Sequence, residues 1–136
     1  MIALDTPYLL AILAGDEQAR AVARSLQAEE MATTTPNLLE LSILSSYGPA
    51  RGKASRLAAL DRLRSCLTVL PPTNDVWKVI AQRYSVSGAT GPLHLWEMLA
   101  TLEVHRVRAL LTASPRHLPG PWSFKLIDFT KKAIKT

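Results

Sequence analysis

Short apolar runs, each too brief to be a helix, recur between longer stretches of helical periodicity, and this alternation limits the chain to few architectures. Ile2, Ala3 and Leu4 make the first run. Asp5 stands at its carboxyl end, and Thr6 and Pro7 open an amphipathic helix that ends near Gly15. DEQARAVARSLQAEE reads as a second helix, with Ala19, Val22 and Leu26 at helical spacing, and MATTT as a strand stopped by Pro36 and Asn37. NLLELSILSSYG and PARGKASRLAALDRLRS supply two more helices, and CLTVL a third strand. After the PPTND turn come a helix from Asp75 to about Tyr84, the polar loop SVSGATGP and a helix from Leu93 to Arg106. ALLT and KLIDF close the series as the fourth and fifth strands. Strands separated by crossover helices predict an α/β fold with a parallel sheet covered on both faces.

An acid just after the first strand lies where open α/β sheets place their ligands. The same residues also fit a plain helix start, with Thr6 as N-cap, Pro7 at the first helical position and Asp5 favoured by the helix dipole. A length of 136 residues suits a single domain over 1–136. No apolar run approaches the roughly 20 residues that cross a bilayer, and no basic, apolar and small-residue leader precedes the first strand, so a cytoplasmic protein is expected. Cys66 is the only cysteine, which excludes an internal disulfide and a multi-thiolate metal site; within CLTVL it is expected in the core.

A net charge of +5 permits a polyanionic partner. Arg51, Lys53, Arg56, Arg62 and Arg64 gather on one predicted helix, and Lys131, Lys132 and Lys135 in the last residues. The first group fits either a solvated helix face or a phosphate-binding surface for RNA. SGATG does not sit between a strand and a helix at the spacing of a Gly-rich phosphate loop.

Three segments together resemble the PIN domain family, in particular the small ribonuclease toxins of VapC type: LDT before an apolar helix, TTTPNLLELS with its helix-borne glutamate, and LATLEVHRVRALLTAS with its final helix, strand and threonine turn. The resemblance spans essentially the whole chain. It implies a PIN-like α/β fold, with a central parallel sheet of four to five strands flanked by helices on both faces. It also implies acids at the strand ends that hold Mg²⁺ or Mn²⁺, RNA cleavage by a metal-activated water, a homodimer and a small antitoxin partner. Carboxylates suit this chemistry because Mg²⁺ takes oxygen ligands and keeps waters, leaving positions for a phosphate and the attacking water.

By this resemblance Asp5 is the first acid and Glu40 the second, both as metal ligands and catalytic residues. Glu40 has another reading as well, because Asn37 as N-cap would place it in a capping box. Counted from Thr112, which the resemblance makes the residue fixing the turn, the third and fourth acidic positions fall on Trp96 and Ser114. Neither side chain replaces a carboxylate. Glu97 and Ser114 are the candidates to complete the site; His94 and Glu97 also make an H-x-x-E spacing, and imidazole favours a transition metal. Trp96 fits packing at the pocket mouth or a subunit interface, or a stacking surface for a base. Loss of two acids leaves an expectation of weak or absent metal-dependent RNA cleavage. The other reading is a non-catalytic PIN-like module that binds RNA or protein.

Overall fold

The computed structural model describes residues 1–86 and 91–131, so the centre of the SVSGATGP loop, with Lys132 and Lys135, lies outside the described residues. Five strands, β1 (Ile2–Leu4), β2 (Met31–Thr34), β3 (Thr68–Leu70), β4 (Ala109–Thr112) and β5 (Lys125–Asp128), form one sheet in the order β3-β2-β1-β4-β5. Every neighbouring pair is parallel, with Ile2 opposite Met31 on one side and Ala109 on the other. All carboxyl ends therefore lie along one edge. The chain runs outward from β1 to β3 and then returns to the other side of β1 as β4, which makes the β1/β4 boundary the topological switch point where such sheets open a crevice.

The connections are α1 (Thr6–Leu13), α2 (Glu17–Ser25), α3 (Thr35–Ser46), α4 (Lys53–Ser65), α5 (Asn74–Val86) and α6 (Leu93–Val104). Strand side chains alternate between faces, and the core divides accordingly. Ile2, Leu4, Ala109 and Leu111 pack with Tyr8 and Leu9 of α1 and Ala19 and Val22 of α2, and the same cluster takes in Leu41 of α3 and Leu60 of α4. Ala3, Ala32 and Leu110 pack on the other face with Met98, Leu99 and Leu102 of α6. Val76 and Ile80 of α5 meet Trp96 and Ala100 of α6 in a third cluster. The expected parallel sheet, covered on both faces, is the observed one, with all five strands present.

Local corrections matter for the site. Asp5, not Thr6, caps α1: its Oδ1 accepts the Tyr8 N–H at 3.1 Å. Thr34, not Asn37, caps α3, accepting the Asn37 N–H at 3.2 Å. Glu40 is thus a full turn beyond the capping positions, and the capping-box reading is overturned. Cys66 is exposed at the C-cap of α4, because the strand starts two residues later, at Thr68.

The turn between α3 and α4 is built around Arg56, whose guanidinium donates to the carbonyls of Pro49 at 3.1 Å, Arg51 at 3.4 Å and Ser45 at 3.4 Å. Gly48, at φ +116°, and Gly52, at φ +83°, face that guanidinium in backbone conformations that side chains resist. Arg56→Ala should lower unfolding stability by about 1–2 kcal/mol in urea titrations, through the lost bonds to charged donors. No loss would show that the turn holds itself.

Candidate metal and RNA site

A cavity of about 330 Å³ opens at the carboxyl edge of the sheet, beside the switch point. Asp5, Glu40, His94, Thr112, Ser114 and His117 line it, with apolar walls from Pro7, Pro36, Leu95, Met98 and Leu118. Asp5 arrives there because β1 ends at Leu4; Thr112 and Ser114 arrive because β4, its hydrogen-bonded neighbour, ends at the same level. The register is locked by Asp5 N–H donating to the Leu111 carbonyl at 3.4 Å.

Glu40 is brought in by a polar weld between two helix starts. The Asn37 side chain donates to Thr6 Oγ1 at 3.0 Å, and its Oδ1 accepts the Thr34 hydroxyl at 2.6 Å. Thr33 Oγ1 donates to the Leu4 carbonyl at 2.8 Å, fixing β2 against the end of β1. One turn past Asn37, Glu40 is exposed at the cavity mouth.

Asp5 is 4% exposed. Burial pushes its carboxyl up to about 6, against opposing pulls from the Thr112 hydroxyl and Tyr8 N–H bonds, and the Glu40 charge raises it further. The charge of Glu40 therefore reaches the buried Asp5 carboxyl, and both side chains line the same cavity. Among the described residues, no three His, Cys, Asp or Glu side chains are gathered closely enough to hold a metal ion. The donor set fits a hydrated Mg²⁺ or Mn²⁺ ion held by two carboxylates, and it does not fit a closed protein cage.

Trp96 is not at the cavity. It is 1% exposed, on the side of α6 that packs against α5. Tyr84 and Trp122 meet its ring edge-on, with centroids 5.4 and 5.8 Å away. Residues two apart on a helix point about 200° away from each other, so the cavity-facing position is His94, not Trp96. Both readings of Trp96 at a pocket mouth or on a stacking surface give way to core packing. Glu97 is half-buried and does not line the cavity, whereas Ser114 does. His117, on the 3-10 turn Pro115–His117, also reaches it, and no motif or periodicity in the sequence pointed there. Its only signal was a position five residues beyond Thr112, in a connection without periodicity.

The basic residues of α4 lie elsewhere. Arg51, Lys53 and Arg62 are exposed, and none of them, nor Arg56, lines the cavity. Arg64 pairs with Asp61 at 2.8 Å on the surface.

The PIN domain model matches residues 2–93. The chain belongs to the PIN domain family. That match includes Asp5 and Glu40 and stops before His94. No curated protein matches the chain. Among solved structures it is similar to FitAcB from Neisseria gonorrhoeae, at 18% identity and TM-score 0.78 over 96% of this chain and 99% of that one. VapBC-5 from Mycobacterium tuberculosis, of the VapBC family of toxin-antitoxin systems, matches at 20% identity and TM-score 0.66, over 93% and 96% of the two chains. VapC20 of the same organism, a sarcin-ricin loop cleaving toxin, matches at 19% identity and TM-score 0.55, over 81% and 87%. At these identities the likeness is one of fold, and the PIN architecture extends through α6, β4 and β5. Among the described residues, no helix is long and apolar enough to cross a membrane.

Proposed function

We propose that this PIN domain is a divalent-ion-dependent endoribonuclease of the toxin type, with a site of two carboxylates that makes its cleavage of RNA slow. The observation that carries this reading is the convergence of Asp5 and Glu40 on one cavity at the switch point, close enough for the charge on one to shift the other. Asp5 and Glu40 would hold Mg²⁺ or Mn²⁺, and the bound ion would activate a water and offset charge on the phosphate. Thr112 holds the Asp5 carboxylate through its hydroxyl and so sets the direction of the oxygens that face the cavity. Ser114 is placed to hydrogen-bond a water or a phosphate oxygen at the rim. With two carboxylates rather than four, such a site binds its ion weakly and orients the water poorly.

The test is cleavage of a single-stranded RNA in Mn²⁺. Slow, EDTA-sensitive cleavage that disappears in Asp5→Asn is expected, and Ser114→Asp, which adds a carboxylate at the rim, should speed it at least about ten-fold, or 1.4 kcal/mol of barrier. Cleavage unaffected by Asp5→Asn would overturn the assignment.

A protein partner is part of the same reading. Leu39, Ile43 and Tyr47, four residues apart, form an exposed apolar stripe on α3 and its C-cap, 62%, 48% and 71% exposed. This stripe suits an apolar segment of a small antitoxin, and a homodimer belongs to the same proposal.

A further inference from the structure

A second, shallower trough of about 280 Å³ continues from the cavity, sharing Ala113, Ser114 and His117 with it and adding Pro115, Arg116 and Asp128. It crosses the Pro115–His117 turn toward the carboxyl end of β5. Arg116 and His117 are both exposed there, and among the described residues no acid lies within ion-pair distance of Arg116. Asp128, the acid in the trough, has an oxygen engaged by the Thr130 N–H at 2.9 Å and hydroxyl at 2.5 Å, and Lys131 and Arg116 act on its charge. The guanidinium is thus free to bind an anion beside a carboxylate already stabilised by other donors. On α4, in contrast, Arg56 is bound into its own turn and Arg64 is paired.

We propose that a single RNA strand lies across the Pro115–His117 turn, with Arg116 and His117 holding the phosphates next to the one that would face the ion held by Asp5 and Glu40. The inference rests on the ribonuclease reading and moves the backbone contact from α4 to the rim of the cavity. Arg116 suits the task because its planar fork bonds two phosphate oxygens at once, and phosphate contacts fix the register of a strand without reading its sequence. Both residues act here as positioning residues.

The experiment is fluorescence anisotropy of a labelled, unstructured single-stranded RNA in EDTA, over a series of salt concentrations, with thermal melts showing that each variant is folded. Each phosphate contact on a single strand contributes about 0.7 to the salt slope. The double variant Arg116→Ala with His117→Ala should therefore weaken low-salt binding about ten-fold and reduce the slope by roughly 0.7 to 1.4. The triple variant Arg51→Ala, Lys53→Ala and Arg62→Ala should leave the slope unchanged. A slope that moves only in the α4 variant would overturn the proposal, as would an unchanged RNA slope with lost binding of a labelled acidic peptide, which would assign the trough to a protein segment. If wild-type protein cleaves RNA in Mn²⁺ while the rim variant keeps the full slope, the placement fails and the ribonuclease reading stands. Neither cleavage nor binding by the wild type would remove both.

Discussion

Trp96→Asp should leave the chain without a stable fold. Its indole is 1% exposed among Val76, Ile80 and Ala100, with Tyr84 and Trp122 edge-on to the ring. Truncating a buried Trp costs about 3–5 kcal/mol, and an unpaired carboxylate in its place adds a desolvation penalty. A loss of at least about 4 kcal/mol is comparable with the whole stability of many domains, so the near-ultraviolet circular dichroism should collapse at ambient temperature. Were Trp96 at the cavity mouth, the same substitution would be tolerated and would create a metal ligand. A folded variant with tighter Mn²⁺ binding is the outcome that would contradict the packing described here.

A second large effect concerns Asp5 and carries a sign that ordinary surface acids do not. Burial raises its carboxyl from 3.8 to about 6 in the folded chain, so between these values the native state holds more protons than the unfolded state. Stability should consequently fall as pH rises from about 4 through about 6, and the full cost of near 3 kcal/mol is present above that window. Asp5→Asn removes the charge and keeps an oxygen for the Tyr8 N–H cap, while its amide can donate to Thr112 Oγ1. Urea unfolding should show the variant more stable than wild type by about 2–3 kcal/mol at pH 8, with the gap closing toward pH 4. A variant less stable than wild type at pH 8 would mean that Asp5 is held as a comfortable structural ion. Stability given up to keep Asp5 buried beside the charge of Glu40 is what a site built to receive a cation shows without one.

The order of strands and helices was legible because each apolar run and each helical period is local, and so was the position of Asp5 at the end of β1. The site's composition was less so. Counting back from Thr112 placed Trp96 in the cavity, but α6 ends at Val104 and four residues, with Arg106 at φ +56°, lead to β4. The rotation of a helix is set by which of its sides is buried, and α6 buries more than one: Leu99 and Leu102 pack on the sheet, while Trp96 and Ala100 meet α5. Periodicity cannot rank such sides. Nor could it show that Asn37 welds α3 to α1, since a polar residue after Pro36 reads as a cap until its side-chain partners on another element are known. Arg56 was ambiguous for a similar reason: a basic residue on a helix looks like surface charge unless the turn that wraps around it is seen.

In the proposed site Asp5 and Glu40 share a divalent ion. Thermal melts at pH 8 across a Mn²⁺ titration test it most directly, because a ligand that binds only the folded state stabilises it by about 2.7 kcal/mol at a hundred times its Kd. The wild-type melting temperature should climb with Mn²⁺, whereas Asp5→Asn, though more stable at the outset, and Glu40→Gln should each lose most of that climb. An equal rise in the double variant Asp5→Asn with Glu40→Gln, or no rise in the wild type, would contradict it.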